Sequence, residues 1–154
     1  MARLYLAYGS NLNVEQMVYR CPGATPVGIA ELKGYHLLFK GSKTGSYLTI
    51  ERREDESVPV VVWLVSEANE KALDRYEGCP DFYYKKFMDI EYTDLQSRAV
   101  KKGEAFVYIM HEDRKCGIPS KQYLETCAEG YRNFGFDSSL LVRAYLESKG
   151  ECGV

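Results

Sequence analysis

Two short segments of this chain carry residues whose types and spacing are suited to chemistry. The first is Tyr8-Gly9-Ser10-Asn11, which directly follows the strand-like run from Arg3 to Ala7. Gly9 has no Cβ, and Ser10 and Asn11 are small and polar, so successive backbone N–H groups can converge on an anionic or carbonyl oxygen. The segment therefore predicts a loop that binds oxygen atoms. An ordinary strand-end turn is the alternative, because Gly, Ser and Asn are common turn residues.

Glu77 is the second candidate, and it lies near the end of a helix predicted between Ser66 and Gly78. Ser66 is suited to cap the N-terminus of this helix and Gly78 its C-terminus. Glu77 follows Leu73 by four residues, which sets its carboxylate beside the apolar stripe. Partial burial and the negative end of the helix dipole both raise a carboxyl pKa, which favours a general base near neutral pH. A surface glutamate at a frayed helix end is the alternative.

Taken together, these segments resemble the γ-glutamylcyclotransferase-like family. The resemblance rests on the run from Tyr8 to Leu12, on Leu-Asp-Arg-Tyr-Glu-Gly at 73–78 and on the aromatic pair Tyr83-Tyr84. Weaker similarities lie at 105–110, which is similar to the family's late strand, and at 119–123, which is similar to the start of its C-terminal helical region. The likeness covers most of the chain, and the Tyr-Gly-Ser-Asn loop and the Glu-Gly helix end are its specific signals.

This resemblance implies an α+β fold, a small mixed β-barrel with flanking helices, in a single domain over residues 1–154. It also implies γ-glutamylcyclotransferase activity, in which a γ-glutamyl-amino acid or γ-glutamyl-amine is cyclised to 5-oxoproline and the free amine is released. Glu77 is then the expected catalytic acid and base, and no cofactor is expected. The γ-glutamyl group is expected to be held by Tyr5, Leu6, Ala7, Tyr8, Gly9, Ser10 and Tyr108.

The thirteen tyrosines need separate treatment, because an aromatic side chain at helical or strand spacing usually belongs to the core. Tyr108 is favoured as a substrate contact because the similarity of the late strand includes it. Its hydroxyl can reach the α-carboxylate or the amine of a γ-glutamyl group. Asn11, Tyr84 and Tyr123 are further candidates for substrate binding. Tyr123 begins the apolar stripe of a predicted helix, so core packing and a pocket role remain alternatives.

The elements that must position these residues follow from the apolar pattern and from breaking residues. A short helix is predicted from Asn13 to Arg20, ended by Cys21-Pro22. Strands are predicted at 25–39, 46–52, 58–65, 83–92 and 99–110, with breaks at Gly34, Gly41, Gly45 and Asp55-Glu56. Two amphipathic helices, at 119–134 and 138–149, close the chain. We expect a central sheet with these helices packed over the barrel.

Length and charge narrow the classes of function. A chain of 154 residues suits one domain with a single core. The formal net charge of −2 leaves no basic excess, so nucleic acid and anionic membranes are poor candidate partners and a small-molecule γ-glutamyl substrate fits better. No apolar run approaches the roughly 18 residues that a membrane-spanning helix needs. The oligomeric state is left open, with a homodimer among the alternatives.

The cysteines and histidines argue against rival chemistries. Five cysteines without a CxxC pair, and an N-terminus without a signal-peptide pattern, predict a cytoplasmic protein with free thiols. His36 and His111 lack the spacing of zinc ligands, so no metal site is expected. Ser10 would need a histidine nearby to act as a nucleophile, and Cys79 has no basic neighbour to lower its thiol pKa.

The expected mechanism is intramolecular aminolysis. The α-amine attacks the γ-carbonyl, and Glu77 carries the proton from this amine to the departing nitrogen. Backbone N–H groups between Tyr8 and Ser10 stabilise the oxyanion or bind the α-carboxylate. Two alternatives stay open: a related enzyme with a different leaving amine, and a non-catalytic binding module for a γ-glutamyl or related metabolite. Glu77 argues against the module, because binding an anionic group gains nothing from a further carboxylate.

Overall fold

A computed structural model of the chain describes residues 2–42 and 45–152. Its strands are β1 (Arg3–Ala7), β2 (Thr25–Ser42), β3 (Gly45–Val65), β4 (Tyr83–Asp94), β5 (Val100–Met110) and β6 (Lys115–Cys116). Its α-helices are α1 (Val14–Arg20), α2 (Glu67–Glu77), α3 (Lys121–Asn133) and α4 (Ser139–Cys152). A 3₁₀ turn at Ser10–Leu12 joins β1 to α1.

The strands close into a barrel because β3 pairs with both β1 and β2. The order around the barrel is β3-β1-β5-β4-β2, and β6 adds to the outer part of β2. The pairing of β1 with β5 is parallel, with Leu4 opposite Ala105, and the other pairings are antiparallel. The prediction of an α+β fold built on a mixed β-barrel is therefore confirmed.

One predicted strand break is wrong. The sequence separates 46–52 from 58–65 at Asp55-Glu56, whereas β3 continues through this point. The pairing with β2 shifts register here, from Lys33 opposite Ser57 to Tyr35 opposite Arg52. Gly34 and Asp55 take positive φ angles of 83° and 68° at the irregularity. The polar residues therefore form a bulge in one long hairpin, where the sequence suggested a turn.

The predicted glycine breaks within the same hairpin have a different outcome. β2 continues past Gly34 and Gly41 to Ser42, and Gly41 pairs with Ser46. Residues 43–44, between the predicted breaks at Gly41 and Gly45, lie outside the described residues.

The four helices lie close to their predicted positions. The side chain of Asn13 caps α1 by accepting from the N–H of Gln16. Ser66 begins α2 in a capping box with Asn69, and Gly78 ends it in the left-handed conformation at φ 64°. These caps satisfy N–H and C=O groups that helix ends otherwise leave without partners. The 3₁₀ turn and β6 were not predicted, because three and two residues are too few to show a periodic pattern.

Burial and thiol state test two further expectations. Val60, Val61 and Val62 are fully buried, as expected of an apolar run in a strand covered on both faces. Cys21, Cys79 and Cys127 are free thiols, but Cys116 is disulfide-bonded, so the expectation of free thiols is wrong at Cys116. Spacing along the chain does not reveal which thiols the fold brings together.

Among the helices of the described part, none has the length and apolarity to cross a membrane.

Helix α3 holds the loop that follows β1. The side-chain amide of Asn13 donates to the carbonyl oxygen of Thr126 at 3.0 Å and to the carboxylate of Glu129 at 2.8 Å. Gly130 allows this approach: a Cβ there would lie 2.7 Å from the backbone nitrogen of Asn13 and 2.7 Å from Cβ of Leu12. The position of the loop therefore depends on the missing side chain of Gly130.

We predict that Gly130→Ala lowers the free energy of unfolding by about 1–3 kcal/mol, because the added methyl group displaces backbone rather than a flexible side chain. The control is Gly150→Ala in α4, where a Cβ meets no atom within 4 Å. It should be neutral or stabilise by up to about 1 kcal/mol through helix propensity. Urea denaturation measures both. Equal stability of the two variants would contradict the close approach at Gly130.

Candidate active site

A cavity of about 190 Å³ lies at the end of β1, where the loop, the end of α2 and the start of α3 meet the barrel. This volume is below the roughly 300–1,000 Å³ typical of pockets for drug-sized ligands, so the cavity suits a small metabolite. The walls are mostly aromatic. The lining residues are Tyr5, Tyr8, Gly9, Ser10, Asn11, Tyr47, Leu48, Tyr76, Glu77, Phe82, Tyr83, Tyr108 and Tyr123.

Glu77 is the one charged side chain among these described lining residues. Burial raises the pKa of Glu77 from its ordinary value of 4.5 to about 7, and the nearby positive charge of Arg20 acts in the opposite direction. A carboxyl with this pKa is populated in both protonation states near neutral pH. It can therefore accept a proton in one step and return it in another.

The side chain of Asn11 connects Glu77 to Arg20. Asn11 donates from Nδ2 to Oε1 of Glu77 at 3.4 Å and to the hydroxyl of Tyr5 at 2.9 Å. Arg20 donates to Oδ1 of Asn11. A guanidinium has only donors, so the amide oxygen of Asn11 must face Arg20 and its NH₂ group must face Glu77. Arg20 thereby fixes the orientation of the amide beside the catalytic candidate.

Arg20 is itself held in place by two further contacts. It donates to Oγ of Ser10 at 3.2 Å, and its guanidinium carbon lies 3.7 Å from the ring centroid of Tyr76. Arg20 was not predicted from the sequence. Its signal in the sequence is only a cation in the last turn of a short helix, which is a common arrangement that favours helix stability.

Three tyrosine hydroxyls already donate a hydrogen bond to another group of the protein. Tyr8 donates to the carbonyl oxygen of Tyr108 at 2.7 Å, and Tyr83 donates to the carbonyl oxygen of Leu48 at 2.8 Å. Tyr108 donates to the carboxylate of Asp74 at 2.5 Å. A phenol carries a single proton, so these three hydroxyls offer only acceptor lone pairs to a bound molecule.

Two other hydroxyls have the opposite polarity. Tyr5 accepts from Asn11, and Tyr123 accepts from the backbone N–H of Leu48 at 3.1 Å, so both keep a proton to donate. Burial raises the pKa of Tyr5 and of Tyr123 well above 10, and the negative charge of Glu77 adds to the rise. Both phenols are therefore neutral at physiological pH. The cavity wall therefore presents both hydrogen-bond acceptors and hydrogen-bond donors.

The loop after β1 adds backbone donors to the cavity. Within the 3₁₀ turn, the first hydrogen bonds run from the N–H of Leu12 to Gly9 and from the N–H of Asn13 to Ser10. The N–H groups of Gly9, Ser10 and Asn11 therefore precede the bonded turn and have no acceptor within it. Gly9 has a φ of −123°, so a need for positive φ does not explain the glycine.

A charged network joins α2 to the strands of the barrel. Lys85 of β4 pairs with Glu70 and, at 3.0 Å, with Asp74. Arg3 of β1 pairs with Glu70 at 3.0 Å. Asp74 also accepts a hydrogen bond from the hydroxyl of Tyr108. These contacts tie one helix to three strands, and they hold the end of α2, and with it Glu77, at the cavity.

The structure brings most of the predicted site residues together. Those at the cavity wall are Tyr5, Tyr8, Gly9, Ser10, Asn11, Glu77, Tyr108 and Tyr123. Leu6, Ala7 and Tyr84 do not line it. Leu6 and Ala7 are buried in the barrel, opposite Val62 and Val61 of β3. Tyr84 points to the other face of β4, because side chains alternate along a strand, and its hydroxyl donates to Glu112 at 2.6 Å.

Five cavity residues were missed in the sequence analysis: Tyr47, Leu48, Tyr76, Phe82 and Tyr83. The ring centroid of Tyr47 lies 5.2 Å from that of Tyr123 and 6.3 Å from that of Phe82. These residues come from three separate elements and the segment before β4, and aromatic residues in strands are usually core. Their only available signal was the neighbouring pair at 83–84, of which the wrong member was chosen.

Metal ligation was also tested by the geometry. In residues 2–42 and 45–152, no group of three or more His, Cys, Asp or Glu side chains is arranged to hold a metal ion. The two histidines instead contact the carbonyl oxygens of Glu51 and Pro80.

Comparison with known proteins gives consistent results. A family described as gamma-glutamyl cyclotransferase, AIG2-like, matches residues 5–125. The mouse protein named gamma-glutamylcyclotransferase is 30% identical over 139 residues, covering 86% of this chain and 71% of the mouse protein. The bovine protein of the same name is 36% identical over 88 residues, covering 53% of this chain and 47% of the bovine protein. The chain thus spans about half the length of the bovine relative in this match.

A solved structure with the name gamma-glutamyl cyclotransferase superposes with a TM-score of 0.77. The sequences are 26% identical, and the superposition covers 94% of this chain and 86% of that chain. The Bacillus subtilis protein YkqA superposes with a TM-score of 0.74 at 19% identity, covering 96% of this chain and 54% of that chain. The second likeness supports the fold alone.

The raised pKa of Glu77 predicts a specific dependence of stability on pH. Because the folded state holds the proton up to about pH 7, against 4.5 for an ordinary glutamate, the folded state binds more protons between these values. The stabilising contribution is full below about pH 4.5 and is lost as the pH rises through 7. Glu77→Gln removes the buried charge, so at pH 8 the variant should be more stable than the unmodified protein by about 1–3 kcal/mol.

Thermal melts across pH 4 to 8 measure this difference, which corresponds to roughly 2–10 °C in Tm at pH 8. The matched control is Glu67→Gln, which changes an exposed glutamate at the start of the same helix and should give no such gain. A Glu77→Gln protein with no added stability at pH 8 would contradict the burial of the carboxylate.

Proposed function

The chain belongs to the gamma-glutamyl cyclotransferase, AIG2-like family, and from this premise we propose that it cyclises γ-glutamyl-amino acids or γ-glutamyl-amines to 5-oxoproline. One observation carries the proposal: a single carboxylate, with a pKa near 7, faces a small cavity walled by neutral hydroxyls and backbone amides. Such a site suits proton transfer within one small molecule.

The reaction forms one bond and breaks one. The α-nitrogen of the γ-glutamyl group attacks its own γ-carbonyl carbon, a five-membered ring closes, and the bond from that carbon to the leaving nitrogen breaks. Glu77 as carboxylate removes a proton from the α-ammonium, and Glu77 as acid gives a proton to the departing nitrogen. The α-nitrogen loses a second proton when it becomes the ring amide, and the released amine takes up that proton as an ammonium ion. The attack is intramolecular, and effective molarities for well-oriented cyclisations are on the order of 10⁵ M or more. The cavity contributes by holding the bent conformer in which the two reacting atoms are close.

The two kinds of hydroxyl in the wall support one orientation of the substrate. Tyr8 and Tyr108 have only acceptor capacity left, which suits an ammonium group next to Glu77. The backbone amides of Gly9 and Ser10 and the hydroxyl of Tyr123 are donors, which suits an α-carboxylate or a developing oxyanion. In this proposal Tyr108 contacts the amine rather than the carboxylate.

The same geometry bears on the alternatives. A non-catalytic binding module would lose affinity for an anionic ligand by placing Glu77 in its pocket, so turnover is favoured over binding alone. The identity of the leaving amine is not determined by the residues around Glu77. The proposed mechanism needs no metal or cofactor. We also propose a cytoplasmic location, in which the disulfide bond of Cys116 is an exception to the usual reduced state of thiols.

A panel of γ-glutamyl-amino acids and γ-glutamyl-amines, assayed for 5-oxoproline in the presence of EDTA, tests the proposal. We expect ring product and free amine in equal amounts from at least one member. Glu77→Gln should fold and lose about 10²-fold or more in kcat, because the amide is nearly isosteric but cannot carry a proton. Glu67→Gln is the matched control. Near-normal turnover by folded Glu77→Gln would contradict the role of Glu77.

Arg20→Gln tests the electrostatic part of the mechanism. Arg20 lowers the pKa of Glu77, so its removal should raise that pKa further and move the acid limb of the kcat/KM profile to higher pH. The matched control is Arg75→Gln, a cation in the last turn of α2 that does not line the cavity. If Arg20→Gln retains turnover and its acid limb is unchanged, Arg20 does not control the pKa of Glu77.

Gly9→Val tests the backbone donors. A Cβ at Gly9 would lie 3.4 Å from Cβ of Leu48 and 3.4 Å from the hydroxyl of Tyr123, so the two added methyl groups extend into the cavity. Turnover should fall by about 10²-fold or more while the free energy of unfolding changes by less than about 1.5 kcal/mol. A variant that melts low yet binds a non-cyclisable γ-glutamyl analogue normally would show that the segment is only a turn.

A further inference from the structure

A second opening lies on the barrel wall, away from the cavity of Glu77. β2 and β4 pair with each other only at Gly28 with Asp94 and at Ile29 with Thr93. Beyond these pairs the two strands diverge, and a groove of about 730 Å³ lies between them. The buried side chains of Leu32, Tyr35 and Ile90 form part of its floor.

The edges of both strands face this groove without a strand partner among the described residues. On its other side, β2 pairs with β3 along its length, and β4 pairs with β5 from Tyr83 to Thr93. Residues 30–35 of β2 and 86–92 of β4 therefore present N–H and C=O groups toward each other across the groove. Two facing rows of backbone donors and acceptors are the feature that strand addition uses.

Charge is distributed unevenly along the groove. At its wide end the guanidinium of Arg52 lies 5.2 Å from the ring centroid of Tyr35, and the ammonium of Lys86 lies 5.9 Å from it. Lys86 also donates to the hydroxyl of Tyr35 at 3.2 Å. Among the described residues, no carboxylate forms a salt bridge with Arg52 or with Lys86.

The narrow end carries the opposite charge. Continuing the register back from Ile29 and Thr93 places Glu31 opposite Glu91, and then Lys33 opposite Asp89. From the narrow end to the wide end, the groove therefore carries two acidic residues, then an acidic residue opposite a basic one, and then two basic residues around Tyr35. At about 3.3 Å per residue, the distance from Glu31 to Tyr35 is roughly 13 Å.

These features discriminate between classes of ligand. Any molecule that fills the groove removes water from two rows of backbone groups, and each group left without a hydrogen bond costs about 1–3 kcal/mol. An acyl chain cannot supply those bonds, whereas the backbone of an extended peptide can supply them on both sides. We propose that this groove binds an extended peptide segment as an added strand, with an acidic residue beside Tyr35 and a basic residue about four positions away.

The probes are acetylated, amidated hexapeptides of alternating Val and Thr that carry Glu and Lys at positions 1 and 5, in both orders, or Gln at both positions. We expect the peptide with one of the two orders of Glu and Lys to bind more tightly than the Gln peptide by about tenfold or more, measured by fluorescence anisotropy. Hydrogen exchange should slow at residues 30–35 and 86–92 when that peptide is bound. Methylating alternate backbone nitrogens of the peptide should abolish both effects.

The double variant Arg52→Glu with Lys86→Glu should weaken the preferred peptide about tenfold or more, whereas Lys71→Glu on the outside of α2 should not. Circular dichroism spectra and melting temperatures close to those of the unmodified protein show that both variants are folded. The proposal is overturned if no peptide slows exchange at the two edges, if the methylated peptide binds equally well, or if dodecanoate occupies the groove in place of peptide.

Discussion

Glu77 carries its charge into a cavity whose other described lining residues are neutral, and burial there raises its pKa to about 7. Desolvating a carboxylate costs free energy, so other contacts must keep the end of α2 in place. The capping box of Ser66 and Asn69 fixes the start of the helix, and Gly78 fixes its end. Lys85 joins the middle of the helix to the barrel through Glu70 and Asp74.

The tyrosine wall follows from the same constraint. Aromatic rings exclude water, which raises the pKa of Glu77, and their hydroxyls still supply polar contacts to a small substrate. Each hydroxyl is oriented by a partner on the protein: Tyr8 by a carbonyl of β5, Tyr108 by Asp74 and Tyr123 by an N–H of β3. The polarity of the wall is therefore set before any substrate enters, which lowers the cost of reorganisation during the reaction.

Local features of the site were predictable from sequence, and long-range ones were not. Ser66, Leu73, Glu77 and Gly78 lie within one helix, so caps and periodicity placed the carboxylate correctly. The loop at Gly9 followed from glycine between a strand and small polar residues. Tyr47 lines the cavity and Arg20 contacts its lining residues Ser10 and Asn11, each from a separate element, and only the folded chain brings them there. The prediction that Tyr84 binds substrate failed because a shift of one residue along a strand exchanges the two faces.

The barrel shows the same division between local and long-range information. Strand positions followed from apolar runs, but the polar stretch at Asp55 was read as a turn because composition does not distinguish a bulge from a chain reversal. The closure of β3 onto β1, which creates the cavity, depends on pairings far apart in the chain. The functional assignment therefore rests on the resemblance and the loop and helix signals, while the fold supplies the surroundings that give Glu77 its chemistry.

The most direct test of this account is the titration of Glu77 itself. Uniform labelling of glutamate side chains with ¹³C, with Glu77→Gln used to assign the signal, gives the pKa of this carboxyl by NMR in the protein without substrate. The account predicts a midpoint close to 7, well separated from those of exposed glutamates. A midpoint near the ordinary value of 4.5 would show that the carboxylate is solvated, and it would contradict the proposed proton transfer at neutral pH.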